Sequence, residues 1–248
     1  MGLPDLVLVH GGEHAGDCWD LVVAELLRRE PELRVLAVDL PGRGRTPGDL
    51  RTATIDVWAD SVVADIEREG LGGIVIVGHS MAGVTVPGVV ARLGSSRVLE
   101  MILAAAFVPP QGQAIVDTLG GPLAVFARYA AKGNRPMKIP GVVTRFAFCN
   151  GMTREQSRLT MSKLCAESPK IPGELVDRSE MPDDVPRTWI LTTRDRALSQ
   201  KSQHRSMAAL GGVQDVITID ACHELMFSHP ERLAQILLER CRIHERVV

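Results

Sequence analysis

The serine of Gly78-His79-Ser80-Met81-Ala82-Gly83 stands between a β-branched run, Ile74–Val77, and a stretch with helical spacing. A serine hydroxyl is a weak nucleophile by itself. It needs a base within hydrogen-bond reach and an exposed position where substrate can meet it. A sharp strand-to-helix turn meets the second need: it lifts the hydroxyl above the sheet edge and turns the first helical N–H groups toward a developing oxyanion. The pattern is close to G-x-S-x-G. Gly78, Ser80 and Ala82 occupy its three positions, with Ala82 in place of the last glycine and Gly83 following. Small residues on both sides of Ser80 let the chain turn tightly and let strand and helix approach. Alone, the motif fits a glycine-rich turn in any α/β protein as well as a nucleophile, so the rest of the chain decides.

Three further polar signals follow apolar, strand-like runs: His10-Gly11-Gly12 after "DLVLV", Asp195 after "WILTTR" and His223 after "VITIDAC". Parallel α/β sheets carry their chemistry at the carboxyl ends of strands. The chain order Ser80, Asp195, His223 is that of a Ser-Asp-His triad on such a sheet. His223 would take the proton from Ser80, and Asp195 would fix the imidazole tautomer and stabilise its charged form. The N–H groups of Gly12 and Met81 would hold the oxyanion. Asp220 competes with Asp195 for the acid role, but it lies three residues before His223, too near the strand to reach its ring. Cys222 invites a thiol reading, yet adjacent side chains in extended chain point apart. His79 is expected to pack or hydrogen-bond within the core. His10, Glu13 and His14 resemble a metal cluster, but the pair His10 and His14 lies on a glycine-rich loop without the helical geometry that aligns ligands four residues apart, and no third ligand aligned with that pair is evident. No metal is expected. Asp39-Leu40-Pro41-Gly42-Arg43-Gly44 reads as a structural loop bracing the sheet edge.

These residues need a scaffold, and the periodicities provide one. Strands are expected at 5–10, 34–38, 74–77, 98–106, 187–193 and 213–219. Helices are expected at 18–30 with Asp17 as N-cap, 54–69 closed by Gly70, 81–93 kinked by Pro87, 199–210, and from about Pro230 to Cys241 with proline in the first turn. Alternation of strand and helix implies a mostly parallel sheet of about six strands with helices on both faces. Residues 109–182 break the alternation. They hold eight of the 15 prolines and helical pieces without a core strand. They read as a lid inserted over the sheet's carboxyl end, so the core is 1–108 plus 183–248.

At 248 residues and 45% hydrophobic, the chain can bury a substantial core. The apolar run "GIVIVGHSMAGVTVPGVVA" at 73–91 is no membrane span, because four glycines, Pro87 and a β-branched start divide it into strand, turn and helix. A net charge of −2 gives no electrostatic case for nucleic acid or an anionic membrane surface. The N-terminal stretch lacks a basic start and a cleavable signal pattern. Five cysteines without a C-x-x-C suit free thiols in a reducing cytoplasm.

The chain resembles an α/β-hydrolase, and more narrowly the plant methylesterase and hydroxynitrile lyase family. The resemblance rests on "LVHGGEHAGDCW" at 8–19, "DLPGRG" at 39–44, "GHSMAG" at 78–83, "FVPPQG" at 107–112, "FCNGMTREQ" at 148–156, "RDRALSQKSQ" at 194–203 and "CHELMFSHP" at 222–230. It implies the α/β-hydrolase fold, a triad of Ser80, Asp195 and His223, oxyanion donors Gly12 and Met81, and no cofactor. Glu13 replaces a cysteine usual in the family, and Asp17 a tryptophan; these departures bear on substrate, not fold. The function expected is hydrolysis of small, fairly apolar carboxylic esters, with Gly11, His14, Phe126, Phe146 and Phe148 as substrate-binding residues. A thioester or lactone would use the same machinery. The expected partner is a small-molecule ester, with a homodimer left open. A carbon-carbon lyase and a non-enzymatic ligand receptor share the scaffold. The lyases that the chain resembles carry threonine and lysine at the positions held here by Gly11 and Glu224. Neither the threonine hydroxyl nor the lysine charge is present, which favours hydrolysis.

Overall fold

The computed structural model describes residues 2–245, and the side chains of all of these except residues 121–123, 126 and 130. Strands β1 (Asp5–Val9), β2 (Val35–Ala37), β3 (Ile74–His79), β4 (Val98–Ala104), β5 (Arg187–Thr192) and β6 (Asp215–Ile219) form one sheet in the order β2-β1-β3-β4-β5-β6, every pairing parallel. Each lies within about two residues of its expected run. Side-chain alternation divides the sheet between two cores. Val7, Val9, Ile74 and Ile76 point to one face. Leu6, Leu8, Val75 and Val77 point to the other.

Helices cover both faces. α1 (Asp20–Arg29) and α10 (Pro230–Ile243) pack on the Leu6 face with Leu26, Leu233 and Leu237 fully buried. Each such side chain removed from water contributes about 1.5–3 kcal/mol. α2 (Ile55–Arg68) and α3 (Ala82–Leu93) pack on the Val7 face through Trp58, Val62, Val86 and Val89, and α8 (Gln200–Ala209) joins them through Met207. Thr54 caps α2 by accepting the Val57 N–H, and Gly70 ends it at φ 59°. Asp17 does not cap a helix: a 3-10 turn, Gly16–Trp19, precedes α1, and the Asp17 carboxylate instead pairs with Lys163 at 2.9 Å.

Between β4 and β5, residues 109–182 leave the sheet. They form α4 (Ile115–Thr118), α5 (Gly121–Lys132), α6 (Gly141–Ala147) and α7 (Arg154–Lys163), and add no strand to the sheet. A last short helix, α9 (Leu225–Ser228), follows His223. Among the described residues no helix is long and apolar enough to cross a membrane.

Candidate active site

β3 ends at His79 and α3 starts at Ala82, leaving Ser80 on the turn between them with φ 53°. A non-glycine residue in this left-handed region costs about 1–2 kcal/mol, and such strain is characteristic of functional turns. The flanking glycines make it possible. A Cβ on Gly78 would sit 2.8 Å from Val86 Cγ2, and one on Gly83 would sit 2.5 Å from the Phe107 carbonyl oxygen. Gly83 therefore provides the close approach that the pattern assigns to its last glycine, and Ala82 is tolerated one position earlier.

Around Ser80, three loops converge. The loops after β5 and β6 bring Asp195 and His223 to the end of β3. His223 Nε2 lies 2.7 Å from Ser80 Oγ, and its Nδ1 lies 2.7 Å from Asp195 Oδ2. Asp195 is itself fixed: Oδ1 accepts the Ala197 and Leu198 N–H groups at 2.8 and 2.7 Å, and Oδ2 accepts the Thr192 hydroxyl at 3.1 Å. A carboxylate so bonded is an acceptor only, so Nδ1 carries the ring proton and Nε2 is free to accept from Ser80. Burial pulls the His223 pKa down, but the carboxylates of Asp195 and Glu224 pull it up further, and the net lies above 6.5. The Gly12 and Met81 N–H groups have no hydrogen-bond partner among the described residues. Both residues line the same cavity as Ser80.

That cavity has a volume of about 110 Å³, less than the ~150 Å³ apolar cavity that takes up benzene. Phe107, Ile115, Leu119, Ile139, Phe148 and Leu164 are among its walls. Phe148 meets the His223 ring edge-on, with centroids 5.0 Å apart. Three residues expected to touch substrate do not line it. Gly11 has no room to do so: a Cβ there would meet Ser80 Cβ at 2.8 Å and the His79 carbonyl oxygen at 3.0 Å, so it is glycine to let the first loop pack under the serine. His14 is buried behind the wall, with Nε2 3.1 Å from Glu224 Oε2. Phe146 is 66% exposed on the outer face of α6, where the Arg196 guanidinium stacks on it. The Phe126 side chain lies outside the described residues.

The rival assignments go elsewhere. Asp220 is exposed and bonded to Arg194 and Thr193, not to His223. The buried Cys222 thiol turns toward Ser228, and burial pushes its pKa up to about 11. His79 donates from Nε2 to the His223 carbonyl at 3.0 Å, and burial lowers its pKa to about 4. It thereby fixes the backbone that carries His223. His10 accepts the Leu40 N–H at Nε2 and donates from Nδ1 to the Gly11 carbonyl, tying the first loop to the Asp39 loop.

A second group of charges was not apparent from the sequence. Arg43, from the loop read as a brace, is buried and forms an ion pair with Glu167, while donating to the His14 carbonyl and to Cys165 Sγ. Glu13, Glu167 and Glu224 all line the cavity. His14 and the neighbouring rings hold the Glu224 carboxyl below the usual range despite its burial. Glu13 departs the other way: burial raises its pKa to about 8.

A profile of the alpha/beta hydrolase family matches residues 6–236. The chain belongs to the alpha/beta hydrolase family. Similarity to individual hydrolases runs the length of the chain. Methylesterase 18 of Arabidopsis thaliana is 24% identical over 253 residues, covering 94% of this chain and 95% of that protein. Esterase PIR7B of Oryza sativa subsp. japonica is 25% identical and covers 96% of each. Among solved structures, an extracellular alpha/beta-hydrolase from a Paenibacillus species, described as sharing structural and functional homology with tobacco salicylic acid binding protein 2, superposes with a TM-score of 0.84 at 22% identity, covering 95% of this chain and 98% of that one. The resemblance to the plant methylesterases noted in the sequence thus extends over nearly the whole chain.

Proposed function

We propose that this hydrolase is a serine esterase acting on small, fairly apolar carboxylic esters. The observation that carries the reading is the unbroken relay from Asp195 through His223 to Ser80, beside two N–H groups without partners among the described residues. Ser80 attacks the ester carbonyl as His223 Nε2 takes its proton. The tetrahedral oxyanion lies against the Gly12 and Met81 N–H groups. His223 then returns the proton to the departing alcohol, and water repeats the sequence to release the acid. Residues 109–182 act as a lid that walls the cavity with Ile115, Leu119, Ile139 and Phe148. The esterase names of the relatives support ester hydrolysis, and the small apolar cavity supports compact substrates. Five free thiols suit a reducing compartment.

Carbon-carbon lyase chemistry is disfavoured at two positions. Gly11 offers no hydroxyl and has no room for one. Glu224 places a carboxylate, held ionised by His14, where a departing cyanide would need a cation. The test is turnover of p-nitrophenyl acetate and butyrate against cyanide release from mandelonitrile. Ester cleavage that disappears in Ser80→Ala, with no cyanide, is the expected result. Cyanide release faster than ester cleavage contradicts the proposal.

A further inference from the structure

Glu13 follows the oxyanion residue Gly12 and has φ 58°, one of three non-glycine residues with positive φ among the described residues. That backbone directs all its anchoring groups at the 109–182 segment. Its N–H donates to Glu167 Oε2 at 2.9 Å, its carbonyl accepts the Cys165 N–H at 2.7 Å, and its Oε1 accepts the Ile139 N–H. Glu13 is 5% exposed and lines the cavity; its Oε1 is bonded to Ile139, and no hydrogen bond engages Oε2 among the described residues. An oxygen on a cavity-lining carboxyl group with no partner from the protein is available to a bound molecule.

We propose that Glu13 selects substrate: the free oxygen of its carboxyl group donates a hydrogen bond to an uncharged acceptor on the ester, an ether, ketone or hydroxyl oxygen away from the scissile carbonyl. This rests on the esterase reading of the site. Ile139 holds one oxygen in place, so the other has a fixed direction. The charged groups around it leave the acid protonated near neutrality. Burial raises its pKa and the Glu167 carboxylate adds to this; the Ile139 N–H, Arg43 and Lys138 act in the opposite sense, and the balance is about 8. Glu167 is already paired with Arg43, and Glu224, on the same cavity, with His14. With the other two carboxyl groups already paired, Glu13 is the one that at neutral pH offers a proton to a neutral acceptor in the cavity.

The test uses p-nitrophenyl hexanoate and analogues in which ether oxygen replaces one remote methylene, far enough from the carbonyl to leave intrinsic reactivity nearly unchanged. The readout is the ratio of kcat/KM, ether over carbon, at pH 7 and pH 9.5. A neutral hydrogen bond predicts that for one oxygen position the ratio is about three- to tenfold higher at pH 7. Glu13→Gln keeps an N–H donor at both pH values and should show a ratio that does not change with pH. Glu13→Met should lose the preference at both. A wild-type ratio that is independent of pH and unchanged in Glu13→Met overturns the proposal. So does a preference for ammonium-bearing esters that grows at pH 9.5, which would make Glu13 a carboxylate reading a cation. Calorimetric binding of the corresponding methyl esters to Ser80→Ala reports the same ratio without turnover. If no ester is hydrolysed, the esterase reading fails while the binding ratio still decides the role of Glu13.

Discussion

Asp195→Asn removes a charge with little change of shape, and the bonds around the carboxyl dictate the outcome. Oδ1 accepts two backbone N–H groups, from Ala197 and Leu198, at 2.8 and 2.7 Å. Only an oxygen fits there, so the amide of asparagine must place its oxygen at that site and its NH₂ toward His223. An NH₂ facing Nδ1 makes that nitrogen an acceptor and moves the ring proton to Nε2. Nε2 is the atom 2.7 Å from Ser80 that must accept the serine proton. The amide also brings no negative charge to stabilise the imidazolium. Both effects act in the transition state, and the expected loss in kcat is about 10⁴-fold, or roughly 5.5 kcal/mol, the size known for this exchange in another Ser-His-Asp triad. The assay is steady-state hydrolysis of a short aryl ester, with circular dichroism and thermal unfolding to show an intact fold. A folded Asp195→Asn enzyme within tenfold of wild type would show that Asp195 does not serve His223 in this way. So would a larger loss from Asp220→Asn, since Asp220 is exposed and bonded to Arg194.

Ser80→Ala and His223→Ala should each reduce kcat by several orders of magnitude, and the double variant should be little worse than either, because the two act as one unit; additive losses in the same assay would show that they act separately. If neutral His223 is the base, as proposed, then with its pKa raised above 6.5, by Asp195 and Glu224 against burial, kcat/KM should fall as pH drops, with its half-point above 6.5. A profile flat from pH 5 to 8 contradicts this. Glu13 is raised from 4.5 to about 8, so the stability it contributes is full below pH 4.5 and is lost as pH rises through about 8. Between those limits wild type should lose up to ~1.4 kcal/mol per pH unit relative to Glu13→Gln, read from urea midpoints; parallel curves would mean that Glu13 does not retain its proton on folding.

Much of this site is legible in the sequence because its parts are local. Ser80, Asp195 and His223 each follow an apolar run that becomes a buried or edge strand, and a parallel sheet brings such loops to one end. The β-branched stretch Ile74–Val77 and the small residues after it specify the elbow without help from elsewhere. The charged group around Glu13 is different in kind. Arg43 and Glu167 are 124 residues apart, and Glu13 and Glu167 are 154 apart. Glu167 lies in "CAESPK", which has no periodicity. Only the folding of residues 109–182 over the first loop creates that contact. The phenylalanines show the same limit at short range. α6 ends at Ala147, so Phe146 stays on the helix's outer face while Phe148, at the C-cap, turns in against His223. Gly11 occupies the position where the lyases that the chain resembles carry a substrate-contacting threonine, yet here its lack of a side chain is required by Ser80 directly behind it.

The proposed mechanism requires that His223 activate Ser80 as a nucleophile. Labelling with a fluorophosphonate, followed by intact-mass and peptide mass spectrometry, measures this directly. One adduct, on Ser80, formed by the wild-type protein and lost in folded His223→Ala, is the predicted result. Folded wild-type protein that takes up no label, or a label on another residue, would contradict it.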